Sequence, residues 1–192
     1  NLAMTKGSIT EEQYFDGIEE LRKIPAQVEK VLECNELVGQ IAEEIKEAND
    51  IFYLGRGVDY SLAMEGALKI KEISYVHAEA FAAGELKHGS IALIDKGTPV
   101  VAIATQSQLF EKMVSNMQEV RARGARVIAI TQEGNTEVEK SADRVIYIPK
   151  VDDMFASITA VVPMQLLAYH ASNIRGLDVD KPRNLAKSVT VE

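Results

Sequence analysis

Cysteine is almost missing from this chain. Cys34 stands alone among 192 residues, which rules out an intrachain disulfide and any multi-cysteine metal site. A reducing, cytoplasmic setting is the simplest reading of that usage. Positive charge is also short, with 21 Lys and Arg against 29 Asp and Glu for a net charge of −8. Nucleic acid is therefore not expected as a general partner, because phosphate backbones are held by an excess of basic side chains; a local anion site stays open. No segment supplies the roughly 20 uninterrupted apolar residues of a membrane span. The best stretch, residues 156–171, contains Pro163 and Gln165 and reads as a buried helix. No signal peptide opens the chain. Its start, Asn1-Leu2-Ala3, suggests a piece of a longer protein, although processing or engineering would give the same beginning.

The hydrophobic fraction of 46% and charged fraction of 26% suit a globular domain with a proper core. No internal repeat or low-complexity stretch interrupts it. Residues 11–33 carry apolar side chains at helical spacing, and Pro25 is expected to bend or split that helix. Residues 36–49 continue with Leu37, Ile41 and Ile45 on one face. Residues 51–54 read as a buried strand entering a Gly55-Arg56-Gly57 turn, followed by a helix over about 60–76. Residues 79–90 read as irregular and 91–94 as a short strand. PVVAIA, residues 99–104, is apolar throughout, as expected of a strand covered on both faces. A helix over 109–121, strands over 126–130 and 144–148, and a last long helix over 154–173 complete the alternation. Such alternation indicates a parallel α/β sandwich. The final polar stretch, GLDVDKPRNLAKSVTVE, reads from composition as a loose tail, though Val189-Thr190-Val191 could order against a surface.

The chemistry concentrates in residues 65–89, EGALKIKEISYVHAEAFAAGELKHG. Glu65, Lys69 and Glu72 are spaced by four and three, so they rise from one face of a helix. Leu62, Leu68 and Val76 fall within or beside the same stripe, so that face is not expected to be fully solvated. One account is a pair of surface ion pairs. The other is a carboxylate base tuned by apolar surroundings and a neighbouring ammonium. His77 is expected on the same helix, turned away and structural. His88, between Lys87 and Gly89, sits in an expected loop suited to proton transfer. The Gly55-Arg56-Gly57 turn is either a tight connection or a ligand-facing anion loop. Tyr60 stands where the dinucleotide fingerprint needs a third glycine, which argues against a flavin or nicotinamide module. Lys187 reads as a solvated tail lysine unless the tail folds over a site. There, burial or nearby positive charge, such as that of Arg183, would lower its pKa enough for Schiff-base chemistry.

Taken together, FYLGRGVDYSLAMEGALKIKEISYVHAEAFAAGELKHGSIALI and LDVDKPRNLAKSVTVE closely resemble the C-terminal part of the glucosamine-6-phosphate synthase family, the isomerising glutamine–fructose-6-phosphate aminotransferases. The resemblance covers essentially the whole chain. It implies an SIS-type (sugar isomerase) three-layer sandwich with a mainly parallel central sheet flanked by helices. Residues 1–174 would form a second SIS domain with N-terminal helices, and residues 175–192 a C-terminal active-site tail. In that family a glutaminase domain and a first SIS domain precede this part. The ammonia-releasing cysteine and the Ser/Thr-rich loops that hold the sugar phosphate lie there and are not in this chain.

Carried over position by position, the resemblance implies that Glu72 moves the proton between C1 and C2 of the sugar. Lys187 would form the imine with open-chain fructose 6-phosphate, and His88 would assist ring opening from the neighbouring subunit. Lys69 would be a further active-site lysine, and Arg183 and Ala186 would belong to the tail beside the substrate. The family has Pro after the His-Gly pair; this chain has Ser90. The implied partners are fructose 6-phosphate or glucosamine 6-phosphate, a second copy in a homodimer, and the two preceding domains. No metal or organic cofactor is called for. The fragment alone is expected to be nearly inactive. A non-catalytic phosphosugar-sensing SIS module is the alternative.

Overall fold

Five strands, β1 (Asp50–Gly55), β2 (His77–Ala82), β3 (Pro99–Ala104), β4 (Arg126–Gln132) and β5 (Arg144–Ile148), pair in parallel in the order β2-β1-β3-β4-β5. This is the sheet of a computed structural model that describes residues 2–185. Around it lie α1 (Leu2–Thr5), α2 (Glu11–Val31), α3 (Asn35–Glu44), α4 (Val58–Ser74), α5 (Phe110–Arg121) and α6 (Ala156–Ile174). Successive strand residues point to opposite faces, and both faces are covered. Ile51, Tyr53, Val101, Ile103, Ile128 and Ile130 pack on α3, α4 and α6. Phe52, Leu54, Val100, Ala102 and Val127 pack on α5 and the loops. That double burial is why β3 and β4 read as continuous apolar runs.

Three local expectations give way. Pro25 lies inside α2 without splitting it. A Thr10–Gln13 capping box secures the start of that helix. Ile24 packs with Val151 and Ala156, while Val31 joins the main core, so burial on both sides of Pro25 offsets the lost backbone bond. Residues 77–82, expected as helix end and irregular chain, form the edge strand β2. His77 opens it opposite Asp50, because α4 stops at Ser74. Residues 91–94 are not a strand. The chain must return from the end of β2 to the start of β3 across β1, whose two edges are already paired. It does so through two 3₁₀ turns, Leu86–His88 and Ser90–Leu93, that lay Leu86, Ile91 and Ile94 on the sheet.

The N-terminal edge of the sheet is tied to α3 by one carboxylate. Glu44 accepts hydrogen bonds from the guanidinium groups of Arg126, which opens β4, and Arg144, which opens β5. Arg126 also donates to the Glu44 carbonyl at 3.2 Å. The bond from Arg144, with Arg126 as a further positive neighbour, holds the Glu44 carboxyl below the usual carboxylate range. A depressed folded pKa gives stability above the unfolded value of about 4.3 that is lost as pH falls through the folded value. Glu44→Gln is therefore expected to cost on the order of 1 kcal/mol at pH 7 and progressively less as pH falls below the ordinary carboxylate range. Urea unfolding of both proteins across that range checks this; a cost independent of pH would refute the electrostatic origin.

Candidate active site

Two places in the domain collect polar chemistry, and they lie at opposite ends of α4. The first is the C-terminal edge of the sheet between β1 and β3, where an open parallel sheet of this order normally receives its ligand. Here the chain fills that place itself. A Cβ on Gly55 would lie 2.1 Å from the Asp59 carbonyl oxygen, so the β1–α4 connection is a tight turn available only to glycine. Asp59, 2% exposed, accepts from the Thr105 backbone N–H at 2.8 Å and from its hydroxyl at 2.6 Å. Burial pushes the Asp59 carboxyl up, and the Thr105 donors oppose the shift. Asp153 accepts from the Ser107 N–H at 2.8 Å and hydroxyl at 2.6 Å. Gln132 bridges the Thr105 carbonyl, the Val151 N–H and Asp153. Arg56 turns away to Asn116 at 2.7 Å. The Thr105 and Ser107 donors of the β3–α5 turn are thus taken by carboxylates of the chain itself. None of this network was legible from spacing, since its members come from five separated segments.

The second place is the last turns of α4. Leu62, Ala63, Ala67 and Ile70 seat the helix on the sheet, which leaves Glu65, Lys69 and Glu72 at the boundary with solvent. Their side chains are 42%, 32% and 29% exposed, so the stripe is half-buried rather than dry. Leu68 is exposed as well. The Lys69 ammonium donates to Glu72 at 2.7 Å and stands 3.7 Å from Glu65. The bond to Glu72 raises the Lys69 pKa, so Lys69 is a lasting cation that fixes the Glu72 carboxylate, not a free amine.

Beyond Glu72 the helix ends at Tyr75 in the left-handed conformation (φ 60°). The C-terminal segment returns to this point. The Arg183 backbone N–H donates to the Tyr75 hydroxyl oxygen at 2.8 Å, and the Arg183 guanidinium lies 4.1 Å from the Tyr75 ring centroid. The tail is therefore tied at Arg183 to Tyr75, three residues after Glu72. Ala186 and Lys187 lie outside the described residues. Sequence reasoning did not single out Tyr75, because the usual helix stop is a glycine.

His88 is elsewhere. It sits in the 3₁₀ turn after β2, its side chain 68% exposed, with Nε2 3.7 Å from Glu85. Leu86 in that turn packs on the α5 side of the sheet, whereas α4 packs on the other side. His88 thus lies past the C-terminal end of β2, whereas Glu72 lies in the last turn of α4, just before β2 begins. A cleft of about 650 Å³ lies at the N-terminal sheet edge around Asp50, His77, Asp95, Lys96 and Arg126. Neither Glu72 nor His88 lines it, so shape and chemistry do not coincide among the described residues.

The SIS domain pattern matches residues 44–175, which is most of the chain. The chain belongs to the SIS domain family. Across all 192 residues this SIS chain is 50% identical to a glutamine–fructose-6-phosphate aminotransferase [isomerizing] of Caldanaerobacter subterraneus, covering 100% of this chain and 32% of that one. It is 54% identical over 187 residues to the enzyme of the same name from Thermus thermophilus, covering 97% and 31%. It is also similar to the solved C-terminal domain of glucosamine-fructose-6-phosphate aminotransferase from Francisella tularensis, with a TM-score of 0.89, 42% identity, and 94% of this chain covered against 51% of that one. This SIS chain thus spans about a third of the length of the curated relatives it matches, and it is homologous to their isomerase region. No described helix is long and apolar enough to cross a membrane.

At the self-filled sheet edge, Asp59→Ala is expected to cost about 1–3 kcal/mol by leaving the buried Thr105 N–H unpaired. Chemical denaturation measures it; a cost below about 0.5 kcal/mol would show that the edge is not held by this carboxylate.

Proposed function

We propose that this chain is the second SIS domain (residues 1–174) and active-site tail (residues 175–192) of a cytoplasmic enzyme that makes glucosamine 6-phosphate. Its substrates are fructose 6-phosphate and ammonia taken from glutamine. The observation that carries the reading is identity of 50–54% to isomerising aminotransferases over 97–100% of the chain.

In this reading the Lys187 amine condenses with the C2 carbonyl of the open-chain sugar and water leaves. Ammonia then displaces the lysine from the imine carbon. Protonation of the imine acidifies the C1 proton, which Glu72 removes and returns at C2, turning the ketose into an aminoaldose. Lys69 orients the base, and its raised pKa suits that role better than proton removal. Arg183 and Ala186 carry the tail. His88 opens the sugar ring in the site of a second copy, so the working unit is a homodimer. The placement of His88 and Glu72 at opposite ends of β2 supports this, since strand β2 runs six residues between them. The sugar-phosphate grip and the glutaminase would come from domains outside these 192 residues.

The test uses a full-length synthase whose C-terminal third is this chain. Glu72→Gln is expected to lower glucosamine 6-phosphate formation at least 100-fold. Lys187→Ala is expected to abolish the adduct trapped by borohydride with fructose 6-phosphate. The 192 residues alone should turn over little. Normal turnover by either variant would sink the catalytic assignment, and binding without any adduct in the unmutated enzyme would favour a phosphosugar sensor.

A further inference from the structure

Tyr75 is an unusual residue for the place it occupies. A helix that stops in the left-handed conformation normally does so on glycine, because a Cβ there is strained. For an aromatic residue the conformation is strained and persists only where surrounding contacts hold it. Tyr75 adopts it at φ 60° and ψ 16°, and among the described residues the only other non-glycine residue with positive φ is Asn184 (φ 62°). These two positions are linked, since Arg183, next to Asn184, makes both of its recorded contacts with Tyr75. One is a hydrogen bond to the hydroxyl, the other a cation–π contact with the ring face. A glycine would end α4 without strain and could make neither contact.

The path of the chain on either side agrees with an anchored segment. Ser172 near the end of α6 donates to the Ile73 carbonyl at 2.9 Å, and the Leu177 N–H donates back to the Ser172 carbonyl. Asp178 accepts from the N–H groups of Asp180 and Lys181, which shapes the bend before Pro182. The segment therefore leaves the last turn of α4 at Ile73 and comes back to it at Tyr75. Glu72 precedes Tyr75 by three residues, about 5 Å along a helix axis. Lys187 follows Arg183 by four residues, which extended chain can span over at most about 14 Å.

We propose that Tyr75 is a positioning residue that fastens the chain at Arg183 against the end of α4, accepting backbone strain in exchange for that contact, and that imine formation at Lys187 depends on this fastening. The catalytic consequence rests on the roles given above to Lys187 and Glu72; the fastening itself does not.

Two variants and two readouts test it. In the 192-residue chain, trypsin cleavage at the Arg183–Asn184 bond reports docking of the tail. Tyr75→Gly is expected to speed that cleavage about tenfold while leaving the thermal midpoint unchanged or higher, because the strain is relieved. Tyr75→Phe, which keeps the ring and loses the hydroxyl, should fall between. In the full-length synthase carrying this chain, Tyr75→Gly is expected to lower kcat and the rate of borohydride trapping at Lys187 about tenfold, with KM for fructose 6-phosphate within about twofold. A merely structural tyrosine predicts the opposite pattern, with activity following stability. Cleavage no faster in Tyr75→Gly overturns the fastening. Faster cleavage with unchanged trapping overturns its catalytic consequence. Trapping that survives Lys187→Ala instead overturns the lysine assignment, and the cleavage rates still decide whether Tyr75 holds the tail.

Discussion

The seating of α4 between β1 and α6 is the constraint on which the rest of this domain depends. A Cβ on Gly66 would lie 2.5 Å from the Met164 sulfur and 2.8 Å from the Tyr53 ring, so the helix can approach this closely only because position 66 has no side chain. That approach fixes the rotation of α4 about its axis. With Leu62, Ala63, Ala67 and Ile70 turned into the core, the i, i+3, i+4 geometry leaves Glu65, Lys69 and Glu72 no place except the rim. The half-burial of these charges follows from packing beneath them. It lets Lys69 hold the Glu72 side chain in one orientation without the desolvation penalty of a fully buried pair.

The same seating explains why the two polar centres of the domain have different fates. The N-terminal end of α4 points at the switch edge of the sheet, where backbone donors would suit an anion. Across from it, the Thr105 and Ser107 donors of the β3–α5 turn are taken by Asp59 and Asp153, and these hydrogen bonds stabilise that edge. The C-terminal end of α4 carries Glu72 and meets the tail at Tyr75. In this SIS chain the usual ligand edge serves stability, and the groups fit for acid–base chemistry gather at the far end of the helix.

Legibility in the sequence followed the same physical division. Where both faces of an element are buried, composition is diagnostic, and β1, β3 and β4 were readable from apolar runs; β5, at the other edge, was readable from RVIYI, whose burial alternates. Edge strand β2 was not, because HAEAFA buries only Ala78 fully and resembles loop composition. Residues 90–93 carry apolar side chains for a different reason: they cover the sheet as a 3₁₀ turn instead of joining it. The spacing of Glu65, Lys69 and Glu72 was visible, but spacing is equally that of surface ion pairs, and the structure indeed shows Lys69 bonded to Glu72. Only the resemblance of the surrounding blocks separated the two accounts. Tyr75 and the Thr105–Gln132–Asp153 network escaped entirely. They are defined by backbone conformation and by contacts between distant segments, neither of which has a local sequence signature.

A site assembled this way has a consequence for how the domain can work. Glu72 is fixed by a helix, whereas the tail is fixed beside it by one hydrogen bond and one cation–π contact at Arg183, together worth about as much as a single good interaction. His88 stands on an exposed turn at the other end of β2. The Glu72 carboxylate is therefore rigidly carried, and the segment at Arg183 is lightly held. For the imine mechanism proposed above, rigid support of the carboxylate and lighter attachment of the tail is the division of labour required.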